Sequence, residues 1–228
     1  MSDKSHFSLS AKEYEDVRGG HLEERRISLV EEAIDKYSSQ IRYVLEIGFG
    51  TGKIMAHLAT KYPSITFVGT EVEPKMVIHA QKQYPRNNAT YLLVSDSGLS
   101  HVQRYDFVYS IDVLHHIHDS DLFLSTIRSY MNEDARWLMI EPNIWHPYIY
   151  YQQNRMRRNG LDEDQFRPWV FMPIFRRNSL TIYARRYAFL FPGIFKRIPG
   201  TLQSVEQRLE RFRLLGGSVV YIARAEKS

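Results

Sequence analysis

Val44-Leu45-Glu46-Ile47-Gly48-Phe49-Gly50-Thr51-Gly52 is the most informative stretch of the chain. With Tyr43, its first half is a short apolar run of the kind that forms a buried strand. Its second half sets glycines at alternate positions, which lets the backbone turn tightly and lie against a ligand without side-chain interference. A lone glycine loop also suits a plain strand-to-helix turn, so the spacing decides. A dinucleotide-binding fingerprint wants a glycine three residues after its second, and Lys53 stands there. What is present is Gly-x-Gly-x-Gly with an acid, Glu46, two residues before it.

The pattern alternates on both sides. Leu22, Leu29, Val30, Ala33, Ile34 and Tyr37 recur at helical spacing before the loop. After it the pattern predicts a helix at about 52–61, a strand Ile65–Gly69, a helix begun by Pro74 and a strand Thr90–Val94. A strand Phe107–Ile111 follows. Asp119 or Ser120 can then cap a helix carrying Phe123, Ile127, Tyr130 and Met131 on one face, and Trp137–Ile140 gives the fifth strand. Further on come a strand around Thr181–Phe191, an amphipathic helix at about 202–213 (Leu202, Val205, Leu209, Phe212) stopped by Gly216-Gly217, and a last strand, Ser218–Arg224. Strands alternating with helices imply parallel βαβ units. The expected fold class is therefore α/β: a doubly wound, mostly parallel seven-stranded sheet with helices on both faces and ligand at the carboxyl ends of its strands.

Composition narrows the chemistry. The 228 residues suit one domain, and 43% hydrophobic with 25% charged residues marks a globular chain. The absence of cysteine excludes disulfides, thiolate zinc sites, iron–sulfur clusters and cysteine nucleophiles. No apolar run approaches the roughly 18 residues of a membrane span, and the first residues lack the apolar core of a secretion signal, so a cytoplasmic protein is expected. The net charge of +4 is unevenly spread: residues 1–144 carry 15 Lys/Arg against 20 Asp/Glu, and residues 145–228 carry 15 against 6. Of the 30 aromatic residues, 13 lie between Trp145 and Phe195.

Further landmarks follow the glycine loop in order. The second strand runs into Val68-Gly69-Thr70-Glu71-Val72-Glu73-Pro74-Lys75-Met76, the third into Ser95-Asp96-Ser97, and the fourth reads Tyr105-Asp106-Phe107-Val108-Tyr109-Ser110-Ile111-Asp112-Val113-Leu114-His115-His116. With Glu141-Pro142-Asn143 after the fifth strand, this series resembles the class I S-adenosylmethionine-dependent methyltransferases over about residues 40–143, and more loosely over the final helix and strand. Leu-His-His closes the fourth strand in many of that family's small-molecule members. The family's usual Leu-Lys-Pro-Gly-Gly turn is replaced by Met131-Asn132-Glu133-Asp134-Ala135, and its usual ribose-binding Asp by Glu71.

The resemblance implies a Rossmann-like methyltransferase fold with the last strand antiparallel and S-adenosylmethionine as cofactor. It also implies a cofactor site drawn from Glu46, Gly48, Gly50, Gly52, Glu71, Val72, Met76, Asp96, Ser97 and Ser110. Glu71 would accept both ribose hydroxyls and Asp96 the adenine amino group. The chain then reads as one methyltransferase domain: a helical lid at 1–40 (with Tyr14, Arg18 and His21), a cofactor-binding core at 41–143, a basic and aromatic acceptor-side insertion at 144–180, and final strands and helix at 181–228.

Methyl transfer is a direct displacement, so positioning and desolvation carry much of the catalysis. His115 and His116 are the candidate general bases, since imidazole titrates near neutrality; His118 reads as a packing or capping residue. Glu141 is a further candidate. No metal is expected, because Asp112 falls out of register with the magnesium-dependent catechol-type enzymes. Cytosine C5 methylation and radical chemistry are excluded by the missing cysteines, and the amino-group nucleic-acid tetrapeptide Asn/Asp-Pro-Pro-Tyr/Phe is absent.

The expected acceptor is a small molecule or lipid-like compound, enclosed by the aromatics of 145–175 with arginines toward an anionic group. Those aromatics can equally cover the sheet. Arg185 through Arg197, with basic pairs flanking an aromatic stretch, suggests peripheral contact with an anionic membrane. RNA is the less favoured acceptor, and a non-catalytic scaffold or regulator of the same fold is the alternative outside enzymology. A nicotinamide oxidoreductase is disfavoured by Lys53.

Overall fold

In a computed structural model, which describes residues 10–94, 103–158, 166–189, 200–210 and 212–227, the apolar run before the glycine loop is strand β1, Tyr43–Ile47, buried at every position after the first. Two helices precede it. α1, Ala11–Arg18, starts at a capping box in which Ser10 and Glu13 satisfy each other's backbone amides. α2, His21–Tyr37, buries Leu29, Val30, Ala33 and Ile34, as their spacing requires. Beyond β1 come α3 (Lys53–Lys61), β2 (Thr66–Glu71), α4 (Pro74–Gln83), β3 (Ala89–Leu93) and β4 (Tyr105–Ile111). α5 (Ser120–Tyr130) begins where the Asp119 carboxylate accepts the Leu122 amide at 3.0 Å. It leads directly into β5, Met131–Pro142. The chain finishes with α6 (Pro147–Arg158), α7 (Pro168–Arg177), β6 (Leu180–Ala188), α8 (Gly200–Leu209) and β7 (Ser218–Ala225).

The strands form one seven-stranded sheet in the order β3-β2-β1-β4-β5-β7-β6. β1 pairs parallel with β2 on one side and β4 on the other, with Leu45 facing Val68 and Val108. β7 runs antiparallel to both β5 and β6, as expected for the last strand. One apolar cluster joins α2, α3 and α4 to one face of the sheet through Leu29, Ile34, Leu58, Phe67 and Tyr109. The other joins α5 and α7 to the opposite face through Leu124, Trp137, Phe171 and Phe175. Burying each such side chain contributes about 1.5–3 kcal/mol.

Three boundaries differ from the sequence reading. β5 begins at Met131, because Met131 pairs with Tyr105 and Asn132 donates to the Asp106 carboxylate at 2.7 Å; the register then shifts before Arg136 pairs with Phe107. The segment replacing the family's turn is therefore the start of a strand. β6 ends at Ala188. α8 ends at Leu209, short of Phe212, which is 44% exposed. Gly216 is needed for close packing: a Cβ there would lie 2.7 Å from Tyr187 Cβ and 2.8 Å from the Ala188 nitrogen.

The basic, aromatic segment after β5 resolves into α6 and α7. Phe166, Phe171 and Phe175 are buried against the sheet, whereas Trp145, Tyr148, Tyr150, Tyr151 and Trp169 are exposed. Of the stretch Arg185–Arg197, Tyr187 and Phe189 are buried, Arg186 pairs with Glu32 at 2.7 Å and Arg185 is exposed; residues 190–197 lie outside the described residues. Among the described residues no helix is long and apolar enough to cross a membrane.

Candidate cofactor and acceptor site

The chain adds β2 and β3 to one side of β1, then returns to add β4 and β5 on the other. A crevice must open where the winding direction changes, at the carboxyl ends of β1 and β4. The glycine loop lies there. The Gly48 and Phe49 amides both donate to the Thr70 carbonyl, at 2.8 and 3.2 Å, folding the loop back on the end of β2. Gly48 has φ +70°, and a Cβ on it would stand 2.7 Å from Val113 Cγ2. That value leaves room for glycine alone.

Two spaces adjoin the loop. A niche of about 50 Å³ is lined by Gly48, Gly50, Glu46, Arg26, Lys53 and Tyr14. A crevice of about 470 Å³ continues from it between the ends of β2 and β4 and the face of α5. This volume is in the range of small-molecule sites. One part of the wall is polar, with Glu71, Glu73, Asp112 and His116; the other is apolar, with Val72, Met76, Val94, Phe123, Ile127 and Tyr130.

Glu71 ties this wall together. One carboxylate oxygen accepts the Gly50 amide at 2.8 Å; the other accepts Val72 and Glu73 amides at 2.8 and 3.1 Å. Glu46 sits at the floor, 3% exposed. Burial pushes its carboxyl up to about 8, against the pull of the neighbouring Tyr109 hydroxyl and with help from the Glu71 charge.

Not every residue picked from the sequence meets the crevice. Ser110 does not: it is fully buried, and its hydroxyl accepts the Trp137 indole N–H at 3.1 Å. Gly52 does not line it either. It sits at φ +81° before α3, where a Cβ would come within 2.7 Å of both Ala80 and Tyr91, so close packing demands glycine there. Asp96 and Ser97 lie outside the described residues.

The two candidate bases separate. His116 lines the crevice. His115 is buried beneath it, with ring centroids 4.0 Å apart, and its Nδ1 lies 2.8 Å from Glu141 Oε2. His118 is exposed, and Asp119 provides the cap of α5.

Of the N-terminal residues, Tyr14 lines both spaces, with its ring 3.4 Å from where a Gly50 Cβ would be. Glu15 anchors α1 over the site by accepting the Tyr84 hydroxyl at 2.7 Å and meeting His79 at 3.2 Å. His21 is buried at 4% exposure, and the Arg18 side chain lies outside the described residues.

Sequence reasoning missed two features. Arg26 reaches from α2 to the Asp112 carboxylate at 3.1 Å, and Asp112 has φ +56° at the crevice edge. The α5 face, recognised as apolar, also forms the crevice wall through Phe123, Ile127 and Tyr130. A pairing across 86 residues leaves no local trace in the sequence.

A family model for the methyltransferase domain matches residues 45–137, from β1 into β5. A tRNA (guanine-N(7)-)-methyltransferase from Thermotoga maritima is 40% identical over 52 residues, 23% of this chain and 17% of that protein. The curated relatives are matched over only 17% and 31% of their lengths. Among solved structures, a Haloferax volcanii protein in complex with the Trm112 methyltransferase activator aligns at TM-score 0.68 and 16% identity, covering 99% of this chain and all of that one (100%). The N-methyltransferase NodS from Bradyrhizobium japonicum, solved with S-adenosyl-L-homocysteine, aligns at 0.64 and 13%, covering 97% and 95%. At these identities the likeness to both structures is one of fold. A methyltransferase domain is thus matched across the point where the sheet changes direction, and the fold of the chain is that of the class I S-adenosylmethionine-dependent methyltransferases.

Proposed function

We propose that this protein transfers a methyl group from S-adenosylmethionine to a small-molecule or lipid-like acceptor, with His116 as general base. The observation that carries the proposal is the two-sided crevice: the glycine loop and Glu71 line one part, and His116 and the apolar face of α5 line another. In this reading α1 and α2 form the lid, and residues 41–143 hold the cofactor and, through α5, the acceptor; none of the described residues of the expected acceptor-side insertion, 144–180, lines the crevice.

The residues present fit the cofactor. Glu71 takes the position for two ribose hydroxyls, and Val72 and Met76 offer apolar surface to the adenine. Glu71 and Glu73 place carboxylates on the crevice wall, where a cation is favoured. When bound, S-adenosylmethionine supplies an electrophilic methyl group on a cationic sulfonium. His116 would take the proton that the acceptor's hydroxyl or amine loses as its lone pair forms the new bond to carbon. The side chains of Phe123, Ile127 and Tyr130 exclude water and hold an apolar acceptor.

Methyl-labelled S-adenosylmethionine incubated with cell-derived fractions tests this reading. Label is expected in the organic-soluble fraction. The 40% identity over 52 residues to a tRNA enzyme supports an RNA acceptor as the second reading. Label confined to tRNA decides for that reading, and label nowhere, with cofactor bound, points to a non-catalytic scaffold.

A further inference from the structure

Trp145, Trp169, Val170, Phe212, Leu214 and Leu215 are all exposed, between 38% and 57%. They come from three separate stretches, and several are tied together. The Trp145 and Trp169 rings lie 5.6 Å apart, and the Arg213 guanidinium sits 4.2 Å from the centre of the Trp145 ring. Asn143, 1% exposed, donates to the Arg213 and Gly216 carbonyls, both at 2.7 Å, fixing the Leu214-Leu215 turn to the end of β5.

This patch stands on the same edge of the sheet as the crevice. Pro142 and Ala188 both pair with Ser218, which puts the 212–217 turn at the carboxyl ends of β5 and β6. Next to Pro142, Glu141 accepts the Val113 and Leu114 amides at the crevice wall.

We propose that this edge docks on an anionic lipid bilayer, bringing the crevice to a lipid-borne acceptor. The inference rests on the lipid-like acceptor proposed above. Contiguous exposed apolar side chains of this kind mark an interaction surface. Tryptophan and tyrosine belong at a membrane–water boundary, and α6 adds exposed Tyr148, Tyr150 and Tyr151.

The charge is complementary to anionic lipid. Arg155, Arg157, Arg158 and Arg213 are exposed, and the acids among the described residues from 142 to 225 are Glu206 and Glu210, both buried. Asp162, Glu163 and Asp164 lie in the segment 159–165, outside the described residues. A second copy of the chain would bring arginine against arginine across the patch. The aromatics of the patch could stack bases, but its aliphatic part, Val170, Leu214 and Leu215, offers a base no such face and suits acyl chains better than single-stranded RNA.

The test is sedimentation of the full chain with vesicles, either phosphatidylcholine alone or a two-to-one mixture with phosphatidylglycerol. Binding is expected to the mixed vesicles only, and raised salt releases it. Arg155→Gln, Arg157→Gln and Arg158→Gln together should weaken it about a hundredfold. Leu214→Ser with Leu215→Ser should weaken it at least tenfold. Equal recovery with both vesicle types overturns the proposal, as does binding unchanged in these variants. So does a dimer that the leucine variant breaks, or retention on single-stranded RNA with none on vesicles. Titrating S-adenosylmethionine into the same samples separates the two claims. Intact cofactor binding without docking strikes this inference alone, and docking without cofactor binding strikes the methyltransferase reading.

Discussion

Glu141 and His115 are buried against each other, with Oε2 2.8 Å from Nδ1 and side chains 0% and 4% exposed. The other carboxylate oxygen accepts the Val113 and Leu114 amides at 3.1 and 2.8 Å. One side chain at the end of β5 thus holds the whole turn that carries both histidines. Glu141→Ala removes three buried partners and should cost about 3 kcal/mol or more in stability, read from chemical denaturation. A loss below about 1 kcal/mol would show that the turn holds without it.

His116 faces the crevice while its neighbour is engaged beneath, so the two alanine variants should behave differently. His116→Ala should lower turnover by about 10²–10⁴-fold while leaving S-adenosylmethionine affinity nearly unchanged. His115→Ala should lower stability as well as rate. Adding a chelator should leave the rate unchanged. Full activity in His116→Ala would leave proximity as the main mechanism, and a chelator effect would show that Asp112 or Glu141 holds a metal.

Glu46 gives a pH signature. Its carboxyl is raised from 4.5 to about 8 in the fold, so the folded state holds a proton that the unfolded chain releases. The stability it contributes is complete below the unfolded value and is lost as pH rises through about 8. Glu46→Gln should remove this contribution to the slope, so the variant's melting temperature gains on the parent's as pH rises from 5 to 8. Parallel curves for the two proteins would mean that Glu46 is already ionised in the fold.

Gly52 is required by space as much as by conformation. Gly52→Ala places a Cβ at φ +81°, within 2.7 Å of Ala80 and Tyr91. The left-handed strain alone is about 1–2 kcal/mol, and the contacts with α4 and β3 add to it. Gly50→Ala meets only the Tyr14 ring at 3.4 Å, so it should unfold later in urea than Gly52→Ala. The reverse order would show that Tyr14 is held more firmly than Ala80 and Tyr91.

The sheet was legible because its signals are local. Val44, Leu45 and Ile47 make an apolar run, Pro74 opens α4, and Asp119 caps α5. Boundaries failed where distant partners set them. Met131 joins a strand because Tyr105 lies beside it, and α8 stops before Phe212 although the apolar spacing continues. Glu71, Met76 and His116, picked by their place after strands, line the crevice. Ser110 lies instead under Trp137, because motif position does not say which face of β4 a side chain takes. The long pairings Arg26–Asp112 and His115–Glu141 became visible only in three dimensions.

Calorimetric titration of S-adenosylmethionine and NAD into the parent protein and Glu71→Ala tests the central claim most directly. The crevice reading predicts that S-adenosylmethionine binds the parent and NAD does not. It predicts that Glu71→Ala, with an unchanged circular dichroism spectrum, loses affinity at least about tenfold, since each hydrogen bond to an ionised acceptor is worth about 1.5–3 kcal/mol. NAD bound in place of S-adenosylmethionine, or unchanged S-adenosylmethionine affinity in a folded Glu71→Ala, would contradict it.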